Sequence, residues 1–156
     1  MLRCSYPLRS RTSGFTLLEI LIVVAILAVV ATIGTGIYRN LAKRVEFDEA
    51  RAVFVSDLKH ARALAMSGEN ALAWGIRIQN STDDTHALFS GTSYVAGTVN
   101  TTTTLPTGVT WESPTEGNNT DVVFSRITGT TTAATITMTS EGVSQTITVT
   151  AVGHIY

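Results

Sequence analysis

The run from Phe15 to Ile37 constrains this chain more than any other feature: 23 residues broken only by Thr16, Glu19, Thr32, Thr35 and two glycines. As a helix rising ~1.5 Å per residue it would reach about 35 Å, enough for the hydrocarbon core of a bilayer, so the sequence predicts a transmembrane helix. Arg3, Arg9 and Arg11 precede it, with no acid before Phe15. Basic residues favour the cytoplasmic side of a membrane, which sets the N-terminus inside and the remainder outside.

One acid interrupts the front of this run. A carboxylate at bilayer depth costs about 2.5–3.5 kcal/mol on insertion scales, so Glu19 is a functional position that needs a cation. A conventional secretory signal is the alternative, because it also opens on arginines and an apolar core, and Val29-Val30-Ala31 resembles a small-residue cleavage site. The apolar run exceeds the ~7–15 residues of a signal core, and no signal core requires an acid.

The stretch Ser13-Gly14-Phe15-Thr16-Leu17-Leu18-Glu19 resembles the processing site of type IV pilins and type II secretion pseudopilins: glycine before the cut, phenylalanine after it, glutamate fifth in the mature chain. The resemblance implies that residues 1–14 are a basic leader, cut after Gly14 by a prepilin peptidase on the cytoplasmic face, and that Phe15 becomes the N-methylated terminus. It also implies partnership with other pilin or pseudopilin subunits and with an inner-membrane assembly platform. The charge argument stands beside it. Cutting after Gly14 creates an α-amine with a reference pKa of ~8, largely cationic at neutral pH, four residues before Glu19. The carboxylate can pair with the amine of its own helix or with that of a neighbour, and the second option fixes the stagger between subunits.

Beyond Tyr38 the pattern turns amphipathic. Phe47, Ala50, Phe54, Leu58, Ala61 and Ala65 recur at intervals of three and four, one face of a helix. Lys43 with Glu46, Arg44 with Asp48 and Asp48 with Arg51 fall at helix-pair spacing on the other faces. Ser67-Gly68 supplies the stop. One helix is therefore expected from Phe15 to Met66, with residues 15–37 as membrane span and later filament core, and 38–67 as its amphipathic continuation. Gly34 and Gly36 form a weak point, a hinge or a site of close helix approach, at ~1 kcal/mol each relative to alanine.

Residues 68–156 read as a β-rich head. Leu72, Trp74, Ile76 and Ile78 alternate with less apolar positions, Asn80 to Asp84 is a turn cluster, and Thr85 to Ser90 returns as the hairpin partner. Further strands are expected at Ser93 to Val99, Gly108 to Glu112, Asp121 to Ser125, Ala133 to Thr139 and Ser144 to Val152. The expected fold class is α+β: a long N-terminal helix packed on an antiparallel head, a pilin-like arrangement. Ala61-Arg62-Ala63-Leu64-Ala65, Val122-Val123-Phe124 with Gly129, and a last hairpin ending at Gly153 resemble the GspH/FimT family of minor pseudopilins and minor pilins. Some members of that family bind DNA through a basic tail. Here the chain ends Gly153-His154-Ile155-Tyr156 without lysine or arginine, so that property is not implied.

Charge and composition exclude several function classes. From Gly68 onward two arginines stand against seven acids, which disfavours nucleic acid as a partner. The single cysteine, Cys4, lies in the leader, so the head has neither a disulfide framework nor a cysteine metal site. His60, His86 and His154 are spread over helix, hairpin and terminus, as packing or surface residues rather than ligands. No spacing suggests a nucleophile triad or a phosphate loop, so no enzyme activity and no cofactor are expected. Trp74 and Trp111 belong to a core. Twenty-two threonines among the last 77 residues suit strands, exposed loops or glycan acceptors alike, and Asn80, Asn100 and Asn118 each begin an N-x-S/T triplet.

The sequence thus points to a structural subunit of an extracytoplasmic filament, single-pass in the inner membrane before assembly. A minor pseudopilin or minor type IV pilin is the first reading and a major type IV pilin the second. A secreted or anchored β-domain, acting as binding module or enzyme, is the alternative of another class.

Overall fold

The computed structural model describes residues 14–156, and for residues 32–38 it describes the helical backbone only. Residues 1–13, with Cys4, three arginines and Ser13, lie outside the described residues. The chain divides after Ala42 into two units, each described by itself.

Helix α1 spans Leu17–Ser67. Its rear turns, in the second unit, carry the face foreseen from spacing: Phe47, Ala50, Phe54, Leu58, Ala61 and Ala65 are all buried. Gly68, at φ 71°, stops it, because the left-handed turn after a helix favours a residue without Cβ. The Gly68 N–H donates to Ala65 O at 3.1 Å, and the Ile127 N–H reaches the same carbonyl at 2.9 Å.

Seven strands follow: β1 (Trp74–Gln79), β2 (Thr85–Ser90), β3 (Thr98–Thr104), β4 (Val109–Ser113), β5 (Asn119–Phe124), β6 (Ala134–Ser140) and β7 (Val143–Val149). They build two antiparallel sheets, ordered β3-β2-β1-β5 and β4-β6-β7. The α+β architecture is as expected, with the sheet divided in two. One apolar core joins the helix face to Trp74, Ile76, Ile78, Val122 and Phe124 from the first sheet and to Val109, Trp111, Ile136, Met138, Ile147 and Val149 from the second. Both tryptophans are core residues.

Four local expectations are corrected. The strand expected at Ser93 to Val99 begins only at Thr98: Gly91 to Gly97 folds as a loop over β2, with Tyr94 edge-on to Phe89 at 5.5 Å and the Arg77 guanidinium 4.4 Å above the Tyr94 ring. A Cβ on Gly97 would stand 2.4 Å from Ser90 O, so two glycines close this loop where alternation alone suggested extension. Leu72 stays exposed before the first strand, behind a 3-10 turn at Glu69–Ala71 whose Asn70 and Ala71 have positive φ. β7 ends at Val149 because the chain turns back at Gly153, where the Tyr156 N–H donates to Thr148 O at 3.2 Å and the Thr148 N–H to Tyr156 O at 2.9 Å. The helix pairs expected of Lys43 and Asp48 give way to contacts with the head: Lys43 pairs with Glu141, and the Gln145 amide donates to Asp48 Oδ1 at 3.1 Å.

Arg62, Gly129 and Gly153 converge. Arg62 Nη2 donates to Val152 O at 3.3 Å, and a Cβ on Gly153 would lie 2.2 Å from Gly129 O and 2.7 Å from Arg62 Nε. Gly129 in turn lies under Met66, whose Cγ a Cβ would meet at 2.7 Å. Three segments distant in sequence thus close the end of the head around one arginine.

Candidate processing and assembly segment

Gly14, Phe15 and Thr16 precede α1 without helical structure. Thr16 caps the helix: its Oγ1 accepts the Glu19 N–H at 3.2 Å, and its carbonyl accepts the Ile20 N–H at 3.3 Å. Thr16 and Glu19 therefore occupy the first and last places of an S/T-x-x-E capping pattern. The charge of Glu19 alone does not reveal this role; the three-residue spacing from Thr16 does. In the first helical turn an acid also meets the positive end of the helix dipole, a contribution of ~0.3–1 kcal/mol.

Among the described residues nothing lies within 4 Å of a Cβ placed on Gly14. Phe15 is 78% exposed, and Leu17 through Val30 present apolar side chains on every side of the helix. A helix apolar all round belongs in a protein interior or in lipid. Among the described residues no helix is long and apolar enough to cross a membrane; the expected span of 15–37 extends into residues 32–38, whose side chains are outside the description. The backbone of α1 is helical through Gly34 and Gly36.

In the head, two polar residues are buried that spacing did not single out. Asn80, 3% exposed, donates through Nδ2 to Trp111 O at 2.8 Å and to Pro114 O at 2.6 Å, tying the β1–β2 turn to β4. That amide is committed, so the first N-x-S/T triplet is not available for a glycan. His86, 2% exposed, lies edge-on to Phe54 and Trp111 with Nε2 2.8 Å from Asp57 Oδ2. Burial holds its imidazole below the usual pKa against the opposing pull of the Asp57 hydrogen bond and charge. Neither pairing has a periodic signature, because each partner lies on a different element. Among the described residues no three His, Cys, Asp or Glu side chains are placed to hold a metal ion.

The family model for the prokaryotic N-terminal methylation motif matches residues 9–35. This supports a type IV pilin-like protein. The matched segment contains Gly14 and Phe15, ahead of the apolar helix, and Glu19 in its first turn. No curated protein and no solved structure matches the chain.

Proposed function

We propose that this chain is a subunit of an extracytoplasmic helical filament, most like a minor pseudopilin of a type II secretion system or a minor type IV pilin of the GspH/FimT kind. The observation that carries the reading is the methylation motif at residues 9–35, with Gly14 and Phe15 immediately ahead of a helix that is apolar on every face. Gly14 fits the role of an address for a prepilin peptidase: it stands ahead of the helix, with open space around it among the described residues. Phe15 is the methylated terminus, and residues 15–37 hold the chain in the inner membrane with its head outside until it is drawn into the filament.

On this reading Glu19 has two successive partners. In the precursor its backbone is capped by Thr16; after cleavage its carboxylate takes the new α-amine of a neighbouring subunit. A paired charge inside a dry helix bundle costs far less than an unpaired one, and this difference sets the stagger. Assembly is the activity, and prepilin peptidase, sister subunits and the membrane platform are the partners.

Deleting the prepilin peptidase tests this. The chain should then keep its leader and stay in the membrane; processing that persists unchanged would remove the reading. Copy number in sheared filaments separates minor from major subunit, with a trace band expected and a dominant band excluding the minor role.

A further inference from the structure

Ile127, at φ 69°, is the one β-branched side chain among the described residues whose backbone lies in the left-handed region. That conformation is uncommon for any side chain and a genuine outlier for a branched one. Elsewhere the head gives such turns to glycine, as at Gly108, Gly117, Gly129 and Gly142. Local contacts impose the turn here: the Ile127 N–H donates to Ala65 O at 2.9 Å, the Ser125 N–H to Thr130 O at 2.7 Å and the Gly129 N–H to Ser125 O at 2.9 Å. A glycine would make the same turn without strain. The Ile127 side chain is 64% exposed, so the fold bears strain for a group that it hardly buries, and strain that packing does not explain points to a function.

Its surroundings give that function a chemistry. Met66, Leu72 and Val152 are exposed as well, and all belong to the same end of the head: Met66 follows the carbonyl that holds Ile127, Val152 O accepts from Arg62, and Ala71 O accepts from Arg126 Nη1 at 3.1 Å. Both guanidinium groups are thus held by carbonyl oxygens, and neither has a carboxylate partner among the described residues. Glu69 is the one acidic side chain on the segments that form this end, residues 62–72, 125–130 and 150–156. Apolar side chains beside two cations without counter-charge call for a partner that brings a carboxylate and an apolar group together, since a guanidinium takes a carboxylate through two parallel N–H bonds.

The other end of the head has the opposite sign. Glu46 stands 16 residues before Arg62 on α1, about 24 Å along the helix at ~1.5 Å per residue. Glu46 and Glu49 are exposed and have no ion-pair partner among the described residues, and Val45 beside them is exposed too. Contact between unlike ends is heterologous, and repetition of such a contact makes an open helical array.

We propose that the Ile127 end of the head is the docking surface for the neighbouring subunit of the filament, whose head lays a carboxylate against Arg126 and an apolar side chain against Ile127. The proposal rests on the filament reading for the identity of the partner; the strain and the charge pattern stand without it.

The test uses the full-length chain expressed with its native partners. A benzophenone amino acid placed at Ile127 is irradiated in intact cells, and the conjugated peptide is identified by mass. It should come from the head of another filament subunit and contain Asp or Glu; no conjugate, or one to lipid or to the chain's own head alone, overturns the proposal. Ile127→Gly should enter filaments at least tenfold less well while its urea midpoint does not fall, because the strain is relieved as the contact is lost. Ile127→Leu, apolar without the branch, should incorporate within twofold of the parent, as should Val95→Ser, which removes an exposed apolar side chain elsewhere on the head. Normal incorporation of Ile127→Gly, or a midpoint that drops with incorporation and so assigns the side chain to the fold, overturns the proposal. The mature N-terminus is read from the same samples: with a start at Phe15 these failures strike the docking surface alone, whereas a start elsewhere removes the filament reading itself.

Discussion

His86 on β2 and Asp57 on α1 meet at 2.8 Å, and this contact ties the first sheet to the helix at the margin of the apolar core. The imidazole is held below its usual pKa by burial, so between that lowered value and 6.5 the unfolded chain binds a proton that the folded chain refuses. The contribution of His86 to the head's stability is therefore full above about pH 6.5 and is lost as pH falls from there toward the folded pKa. Urea midpoints followed by the emission of Trp74 and Trp111 should decline over that window. His86→Gln should flatten the decline; an unchanged decline in that variant would assign it to other groups.

The two parts of Glu19 separate by substitution. Glu19→Gln keeps the capping pattern, which accepts either residue, and removes the charge. Thr16→Ala removes the cap, at about 1 kcal/mol, and leaves the charge. Filament incorporation should fall at least tenfold in Glu19→Gln and stay within a few-fold in Thr16→Ala. The reverse ranking would mean that Glu19 acts through the helix start alone.

Gly153 and Gly108 both have positive φ, at 82° and 90°. Alanine at Gly108 meets open space and should cost only the left-handed backbone term, about 1–2 kcal/mol. Alanine at Gly153 adds a collision with Gly129 O and the Arg62 side chain, so its urea midpoint should fall clearly further. Equal losses would show that the Arg62 junction relaxes freely.

Much of the fold was legible because it is periodic. The six buried residues from Phe47 to Ala65 follow a spacing that only a helix satisfies, and Ile76, Ile78, Ile136 and Ile147 follow one that only a strand does. Where the reading failed, the decisive interaction was between elements: Lys43 and Asp48 turn to Glu141 and Gln145, and the Gly91–Gly97 loop is closed by backbone contacts across six residues. The Thr101–Thr104 tract was open to three readings; it forms the exposed edge strand β3, whereas residues 130–132 have no regular structure. At the front of the chain Gly14 and Phe15 stand out through the resemblance of Ser13 to Glu19 to a pilin processing site, and Glu19 as an acid in an apolar run. The Thr16 cap is equally local, an S/T-x-x-E pattern legible in the sequence.

The central claim is that the chain is cut after Gly14 and begins, in use, at Phe15. The mass of the mature N-terminal peptide tests it most directly. The account predicts a peptide starting at Phe15 and carrying one additional methyl group, with Gly14→Ala leaving the fold intact and blocking the cut. A peptide starting at Thr32, as a conventional signal would leave, would contradict it.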